Sequence, residues 1–466
     1  MNILKNIKRR YNIRGGYKEF LKIAIPLCVS VGVSSFQLFA DRIFLSYYSQ
    51  ASYAASVPAG CCINGLVSLF LYTLAYVDVF VAQYCGKKEY RSIGPAVWQS
   101  VYLSVVAAFV ILVFSLFTEQ IFTNIGHPNV VALEEIKYFK MLCYGSFFAI
   151  AATSLSGFYT GMGKTRVVLC VTACSVISNI ILDFVLIFGK FGFPEMGITG
   201  AALATNISFV ITFITYVFLI VRKKNKNIYN TRQLQPDFTF MKRLLKYGFP
   251  NGVTVFFDVI AFSILMIIIG TIGVSELTAS NVACSAYHIL FMPIVGGNIA
   301  TSVIVGNYLG KNEASVAQIG VSSAFQIVYS YVAILMFVIM LLPSLLIAPF
   351  SFGAQAVSID TVGHMAVNIL RLFVVYLIFD PAYNVFSSAI KGAGDTAFVA
   401  KRIIFASIFL MIIPTYLIVV VFKLGAYAAW IFAWVYSIFL ASSCYLRYKS
   451  NKWKKMRVVE MDVIDG

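Results

Sequence analysis

Four residues of the amino-terminal half have the side-chain types that bind a hard cation or share a proton. Asp41 and Asp183 each lie late in a long apolar run, and Asn179 precedes Asp183 by one helical turn, on the same helix face. Thr205 lies early in the next run. If successive runs cross a membrane in opposite directions, all four residues lie at a similar depth. Two carboxylates, an amide and a hydroxyl can provide the oxygen ligands of Na⁺, or a cluster that shares a proton because both acids cannot ionise cheaply in a dry site.

A second set of polar residues lies in the carboxy-terminal half. Asp258 is midway along one apolar run, and Asp380 lies in the inner half of another, with Tyr376 one turn before it on the same face. Pro381 removes a helix hydrogen bond beside Asp380, and Pro26 does the same in the first run. A bend next to a titratable group is a candidate moving part, so we predict that Pro26 bends the first helix.

The apolar runs leave these acids with few basic partners. A carboxylate at the centre of a membrane helix costs on the order of 3 kcal/mol, so each acid is expected to face a cavity or a partner. Arg42 adjoins Asp41 but points away from it on a helix, and Arg371 is more than two turns from Asp380. The predicted interior is therefore net acidic, which favours a cationic cargo, a coupling cation or carboxyls that stay protonated. Helix clamping by hydrogen bonds is the structural alternative for each acid, including Asp78.

The elements that must position these side chains are membrane helices. The chain has 466 residues, of which 60% are hydrophobic and 12% charged, whereas a soluble domain is about 25% charged. Its apolar residues gather in runs of about 20 or more, the length that spans roughly 30 Å of hydrocarbon. We predict an all-α polytopic membrane protein with twelve spans, at residues 21–47, 57–84, 96–117, 138–160, 167–188, 198–221, 247–272, 279–309, 316–350, 361–390, 398–422 and 426–446.

An internal repeat divides these spans into two sets of six. Three landmarks of the first half return in the second: Pro26 as Pro250, segment 84–89 (YCGKKE) as 308–313 (YLGKNE), and segment 161–165 (GMGKT) as 392–396 (GAGDT). Because six is even, both copies enter the membrane in the same direction, and a pseudo-two-fold axis along the membrane normal is expected to relate them. We predict an amino-terminal lobe at 1–224, a cytoplasmic linker at 225–246, and a carboxy-terminal lobe with a basic tail at 247–466.

The net charge of +17 is explained by membrane topology and not by nucleic acid. The Lys and Arg residues lie at both ends and in alternate connections between runs, which predicts that both termini are cytoplasmic. Only six of the 36 fall elsewhere: Arg42, Lys137, Lys140, Lys190, Arg371 and Lys423. Segment 161–165 resembles the end of a nucleotide-binding loop, but position 158, where that motif requires Gly, is Phe. No nucleophile–base pair or metal-ligand spacing stands out, so we predict no nucleotide, no cofactor and no enzymatic activity.

The order of these motifs resembles the multidrug and toxic compound extrusion (MATE) family over nearly the whole chain. The resemblance depends on Pro26 with Asp41 fifteen residues later, segment 86–89 (GKKE) after the second span, and segment 392–396 after the tenth. It implies two lobes that alternate between outward and inward openings, and export of organic, often cationic compounds in exchange for Na⁺ or H⁺.

The resemblance also implies two candidate sites for the coupling ion. In the amino-terminal lobe these are Asp41, Asn179, Asp183 and Thr205, a set that can hold Na⁺. In the carboxy-terminal lobe they are Asp258, Tyr376 and Asp380, although family members often have Glu on the seventh helix. Because the chain carries both sets, the coupling lobe and the ion stay open.

Two other functions are weighed against this interpretation. A lipid-linked oligosaccharide flippase of a related superfamily handles anions and is expected to place Arg or Lys in its cavity, where this chain has acids. A channel or receptor without coupled transport does not account for paired acids in both halves. We therefore expect an antiporter in a bacterial cytoplasmic membrane, with membrane lipid and small organic substrates as its partners.

Overall fold

The computed structural model describes residues 8–125, 127–351 and 359–460, and this part of the chain folds into α-helices without a strand. Twelve of the helices are long and apolar enough to cross a membrane. We label them α1 to α12: Tyr17–Tyr48, Gln50–Lys87, Tyr90–Ser115, Asn129–Gly161, Thr165–Ile187, Gly197–Val221, Phe238–Gly270, Val274–Gly310, Ala314–Leu341, Val362–Ala393, Thr396–Val421 and Gly425–Lys449. The predicted all-α class with twelve spans is confirmed.

The structure differs from the sequence-based prediction in the ninth run, where a single span over 316–350 was expected. Helix α9 ends at Leu341, and a separate short helix follows at Pro343–Ser351. Leu342 leaves the helical conformation, with φ −130° and ψ 44°. A proline disfavours helical geometry in the residue before it and has no N–H to donate, so the chain stops one helix and starts another.

Two spans contain local irregularities. Helix α2 changes course at Tyr76, where its two parts, Gln50–Ala75 and Val77–Lys87, meet just before Asp78. The backbone of Asp78 lies so close to Gly161 of α4 that a Cβ there would meet its carbonyl oxygen at 2.3 Å. Helix α11 widens into π-helical turns at Ser407–Ile412 and Leu417–Val421, on both sides of Pro414. The missing N–H of Pro414 interrupts the regular hydrogen-bond ladder, which accounts for the widening.

The described residues group into two compact units. One contains residues 29–256, 310–312 and 458–460, and the other contains 8–28, 257–309 and 313–457. Helix α1 passes from one unit to the other between Cys28 and Val29, shortly after Pro26, and α7 does so between Phe256 and Phe257, shortly after Pro250. Both helices continue through their prolines. The bend at Pro26 and the lobe boundaries at 224 and 247 stay predictions.

Within each unit the helices pack through small residues. In the first unit α4 is the central helix, with α2, α3 and α6 against it, and α5 packs on α6. In the second unit α10 packs against α9 and α12. Glycine, alanine and serine dominate the buried positions of α4, because apolar helices in a membrane gain most from close backbone approach. This packing fixes the helices that carry the candidate site residues.

Candidate functional site

Helices α1, α5 and α6 bring the four predicted residues of the amino-terminal half together. In the amide orientation that satisfies its neighbours, Asn179 Nδ2 donates to Asp41 Oδ1 at 3.0 Å and to Asp183 Oδ2 at 3.2 Å. The other amide atom lies 3.5 Å from Thr205 Oγ1, and the Thr205 hydroxyl donates to the Ala201 carbonyl at 3.1 Å. We call Asp41, Asn179, Asp183 and Thr205 the amino-terminal cluster. The predicted proximity is present, and the role in coupling stays a prediction.

Burial and charge make the amino-terminal cluster suited to a cation or a proton. Asn179 and Asp183 are fully buried, and Asp41 is 5% exposed. Both carboxyl groups lie on the same Asn179 amide atom, so two ionised carboxylates would repel each other, and a cation or one shared proton relieves this. Among the described residues Asp183 Oδ1 has no hydrogen-bond partner, and neither acid forms an ion pair. Arg42 is exposed, as its position beside Asp41 predicted.

Gln37 joins this cluster to a cavity. It lies one turn before Asp41 on α1, and its side-chain nitrogen is 3.1 Å from the Asn179 amide. Gln37 also lines a cavity of about 190 Å³, together with the hydroxyls of Ser34, Thr153, Ser156, Thr172, Ser175, Thr212 and Tyr216. The signal in the sequence that points to Gln37 is its spacing of four residues from Asp41.

Asp380 of the carboxy-terminal set accepts hydrogen bonds from polar side chains. Tyr287 donates at 3.3 Å, and Asn384 Nδ2 donates at 3.1 Å. Asn298 in turn donates to Asn384 Oδ1 at 2.9 Å. Tyr376 lies one turn before Asp380 in α10, and its role stays a prediction. Tyr287 and Asn384 are two polar partners of Asp380 that the sequence did not indicate.

Asp258 belongs to a separate hydrogen-bonded pair. Its Oδ1 accepts from the Tyr436 hydroxyl at 2.9 Å, and the residue is exposed while Asp380 is 7% exposed. The charges of Asp258 and Asp380 lie close enough to interact. Aromatic rings surround Asp380: Tyr287 lies 5.1 Å from Phe373 and 5.8 Å from Tyr376 between ring centroids. The carboxy-terminal set is thus two acids, each hydrogen-bonded by tyrosine.

Two histidines have ordinary structural partners. His288 Nδ1 lies 2.8 Å from the Cys284 carbonyl, which agrees with a satisfied polar residue. His127 Nδ1 lies 2.8 Å from a carboxylate oxygen of the fully buried Glu135. Glu135 lies outside the predicted fourth span, which was expected to begin at residue 138. All nine cysteines are free. The described residues contain no group of three or more His, Cys, Asp or Glu side chains arranged to hold a metal ion.

Comparison with known proteins identifies the family. A family model described as MatE matches the chain twice, over residues 26–185 and 250–417. The chain belongs to the MATE family. Family members are transporters, so the prediction that the chain is not an enzyme is confirmed. The two matches begin at Pro26 and Pro250, the landmarks of the predicted repeat.

Relatives and solved structures agree with this assignment. A probable multidrug resistance protein NorM of Thermotoga maritima is 27% identical over 98% of this MATE-family chain and 97% of its own length. A protein of the same description from Bacillus anthracis is 27% identical over 81% of this chain and 84% of its own. A MOP superfamily transporter from Pyrococcus furiosus shares the fold at a TM-score of 0.85 and 21% identity, covering 94% of this chain and 97% of its own. A structure of MATE in the bent conformation shares the fold at a TM-score of 0.84 and 21% identity, covering 95% of this chain and 97% of its own.

Proposed function

We propose that this chain exports organic, cationic or amphipathic compounds across a bacterial cytoplasmic membrane in exchange for Na⁺ or H⁺, by alternating access. Curated relatives are named probable multidrug resistance proteins, and they come from bacteria. The observation that carries the proposal is the amino-terminal cluster, in which two buried carboxylates share a single amide and neither forms an ion pair among the described residues. A flippase for anionic lipid-linked sugars is not favoured, because acids stand where such a cargo would need bases.

The Asn179 amide gives the amino-terminal cluster two arrangements. With Nδ2 turned inward, the amide donates to both carboxylates, and the cluster needs no cation. With Oδ1 turned inward, the Asn179 oxygen lies 3.0 Å from Asp41 Oδ1 and 3.2 Å from Asp183 Oδ2, and these three oxygens are candidate ligands for Na⁺. A proton shared by the carboxyls is the other way to neutralise the pair. Coupling then requires only that ion and substrate prefer different conformations or compete for the same carboxylates.

Asp258, Tyr376 and Asp380 are a second candidate for the coupling site. Tyrosine and asparagine donors hold Asp380 in one orientation, and Asp258 is exposed to an incoming ligand. These residues can take a cation or bind the cationic group of a substrate. The proposed orientation places both termini and the basic linker in the cytoplasm. Membrane lipid surrounds the helices as the second partner.

Transport in proteoliposomes tests the function and identifies the ion. Purified protein is reconstituted with a fluorescent organic cation, and export is followed under a Na⁺ gradient and, separately, under a H⁺ gradient. We expect export under one of them. Export under neither gradient, by folded and inserted protein, contradicts the antiporter and favours a lipid cargo.

Substitutions then identify the coupling lobe. If the amino-terminal cluster binds the coupling ion, we expect Asp41→Asn and Asp183→Asn to abolish gradient-driven export. If the carboxy-terminal set binds it, we expect Asp258→Asn and Asp380→Asn to do so. Asp237→Asn is a matched control, because Asp237 lies outside the spans and Asn can still accept from the Phe240 amide at the start of α7. Normal export by Asp41→Asn and Asp183→Asn would rule out the amino-terminal cluster.

A further inference from the structure

A basic cavity lies between α11 and α12, away from both candidate coupling sites. It has a volume of about 310 Å³. Three cationic side chains line it, from Arg402 of α11, Arg447 of α12 and Lys452 just after α12. Ser443 and Ser450 add two hydroxyls. The cavity therefore combines positive charge with small hydrogen-bond donors.

Most of the positive charge in this cavity is not neutralised by the protein. Arg447 Nε lies 2.7 Å from Asp395 Oδ2, which pairs one of the three cations. Arg402 and Lys452 are exposed, and neither forms an ion pair within the described part of the chain. The cavity thus keeps two cations available for an anionic ligand.

The same aromatic ring contacts two guanidinium groups of this cavity. The Phe398 ring centroid lies 5.2 Å from Arg402 Cζ and 5.0 Å from Arg447 Cζ. Such contacts offset part of the repulsion between like charges and restrict both side chains. Because guanidinium groups present planar sets of donors, two of them in the lining of one cavity are suited to the oxygens of a phosphate.

The surface beside this cavity is apolar. Phe405 and Phe409 of α11 are 44% and 54% exposed, and Leu446 of α12, which also lines the cavity, is 64% exposed. Phe405 packs on Phe409 and on Phe439 of α12, with ring centroids 5.1 and 5.4 Å apart. The two helices thus present exposed apolar side chains next to the basic residues of the cavity.

We propose that this cavity binds the phosphate of an anionic phospholipid. Arg402, Arg447 and Lys452 surround the phosphate, the Ser443 hydroxyl donates to one of its oxygens, and the acyl chains lie along α11 and α12; the Ser450 hydroxyl donates to the Arg447 carbonyl at 2.7 Å instead. Basic pockets between the ends of membrane helices are typical sites for anionic headgroups. With the proposed orientation, the lipid belongs to the cytoplasmic leaflet. The apolar surface favours a lipid over a soluble phosphate, which would gain nothing from it.

Lipid binding to the full-length chain tests this site. The purified protein in detergent is given phosphatidylglycerol and phosphatidylcholine in equal amounts, and bound lipid is measured by native mass spectrometry. We expect the wild type to retain phosphatidylglycerol selectively. Arg402→Gln and Lys452→Gln each lower that retention about fivefold, and the double variant about 25-fold, since one basic residue near a membrane surface contributes about 1 kcal/mol.

Two further variants separate a built site from general surface charge. Lys401→Gln is the matched control, because Lys401 is exposed and adjacent to Arg402 but does not line the cavity. Its retention of phosphatidylglycerol is expected to equal that of the wild type. Arg402→Lys keeps the charge and is expected to keep most of the binding. Lys452 follows the last membrane helix, so Lys452→Gln carries the test even if a substitution at Arg402 disturbs folding.

Three results would overturn the proposal. Equal retention of the two lipids by the wild type means that the cavity does not select an anion. An equal loss in Lys401→Gln and Arg402→Gln means that only bulk charge matters. Displacement of bound phosphatidylglycerol by glycerol phosphate assigns the cavity to a soluble phosphate instead of a lipid. The measurement does not depend on transport, so it stands or fails separately from the proposed antiport.

Discussion

Asn179 decides what the two buried carboxylates of the amino-terminal cluster can do. An isolated pair of buried acids is expensive, and only one of them can donate a shared proton. The amide reaches both, with one atom within 3.0 Å of Asp41 Oδ1 and 3.2 Å of Asp183 Oδ2. Because an amide offers either a donor or an acceptor at nearly the same position, it can satisfy the pair with or without a bound cation.

Thr205 supports the amide from the other side, which leads to a prediction about ion affinity. Its hydroxyl donates to Ala201, and its lone pair accepts from Asn179 Nδ2, 3.5 Å away, in the arrangement that turns the amide oxygen toward the carboxylates and suits a cation. Thr205→Val keeps the shape of the side chain but replaces its hydroxyl with a methyl group. We expect the ion concentration for half-maximal export to rise roughly five- to tenfold, since one hydrogen bond contributes about 1 to 1.5 kcal/mol. The readout is the initial export rate against ion concentration in proteoliposomes.

Thr205→Ser is the matched variant for this prediction, because it keeps the hydroxyl and removes only a methyl group. Its half-maximal concentration is expected to stay close to that of the wild type. If Thr205→Val behaves like Thr205→Ser, the oxygen has no part in ion binding, and the cluster is reduced to its two acids and Asn179.

At the scale of elements, the crossing of α4 and α6 sets the position of Thr205. Gly145 of α4 lies against Asn206, the residue after Thr205, and a Cβ at 145 would meet Asn206 Oδ1 at 1.9 Å. The Asn206 amide donates to the Met141 carbonyl at 2.6 Å and so ties α6 to α4. A close glycine contact and an interhelical hydrogen bond therefore hold the helix that carries part of the cluster.

Gly145→Ala is expected to weaken this crossing. The added methyl group displaces the Asn206 side chain and breaks its bond to Met141, so we expect a loss of about 1 to 3 kcal/mol in stability. Thermal unfolding in detergent, followed by tryptophan fluorescence, measures it. Asn206→Ala in the same protein makes room for the methyl group but also lacks the bond to Met141, so it is expected to recover only the part of the loss that comes from the steric overlap.

Gly60→Ala is the control for the effect of alanine on a helix. Gly60 lies within α2, and nothing stands within 4 Å of its would-be Cβ. Alanine there is expected to leave stability unchanged or to raise it by up to about 1 kcal/mol, because alanine favours helices over glycine. A stability for Gly145→Ala as high as that for Gly60→Ala would show that the crossing tolerates a wider spacing.

The elements differ in how well their sequence predicts them. Apolar runs locate all twelve helices, since length and hydropathy alone decide whether a helix can span a bilayer. Ends were less accurate: α4 begins at Asn129 and not at 138, because Glu134, Glu135 and Lys137 interrupt the apolar pattern that defined the span. The break before Pro343 was also missed, because the run stays apolar on both sides of it.

The candidate site was predictable to the extent that it consists of charges. Aspartates are so costly within apolar runs that Asp41, Asp183, Asp258 and Asp380 stand out without a structure. Gln37, Tyr287 and Tyr436 did not stand out, because tyrosine and glutamine are common in membrane helices and acquire a role only through neighbours on other helices. Their contacts depend on packing between helices far apart in sequence, which a single sequence does not display.

For the whole molecule, the repeat and the charge distribution lead to the same topology. Two family-model matches, starting at Pro26 and Pro250, show that the chain contains the unit twice. Six spans in each copy return the chain to the side where it began. The basic residues that follow α6, including Lys223, Lys224 and Lys226, then share one side with both ends of the chain. By the positive-inside rule we expect this side to be cytoplasmic.

Cysteine labelling on the two sides of α6 tests this orientation. Lys190 precedes the helix and Lys224 follows it, and both side chains are exposed. Each is replaced by Cys in a variant whose exposed native cysteines, Cys61, Cys62, Cys170 and Cys174, are changed to Ala. Because basic residues are retained on the cytoplasmic side, we expect an impermeant maleimide to label Lys190→Cys in intact cells, and Lys224→Cys only after permeabilisation. The two variants lose the same charge, so their difference reports location. The reverse pattern would place both termini outside and invert the direction in which Asp41 and Asp183 meet the ion gradient.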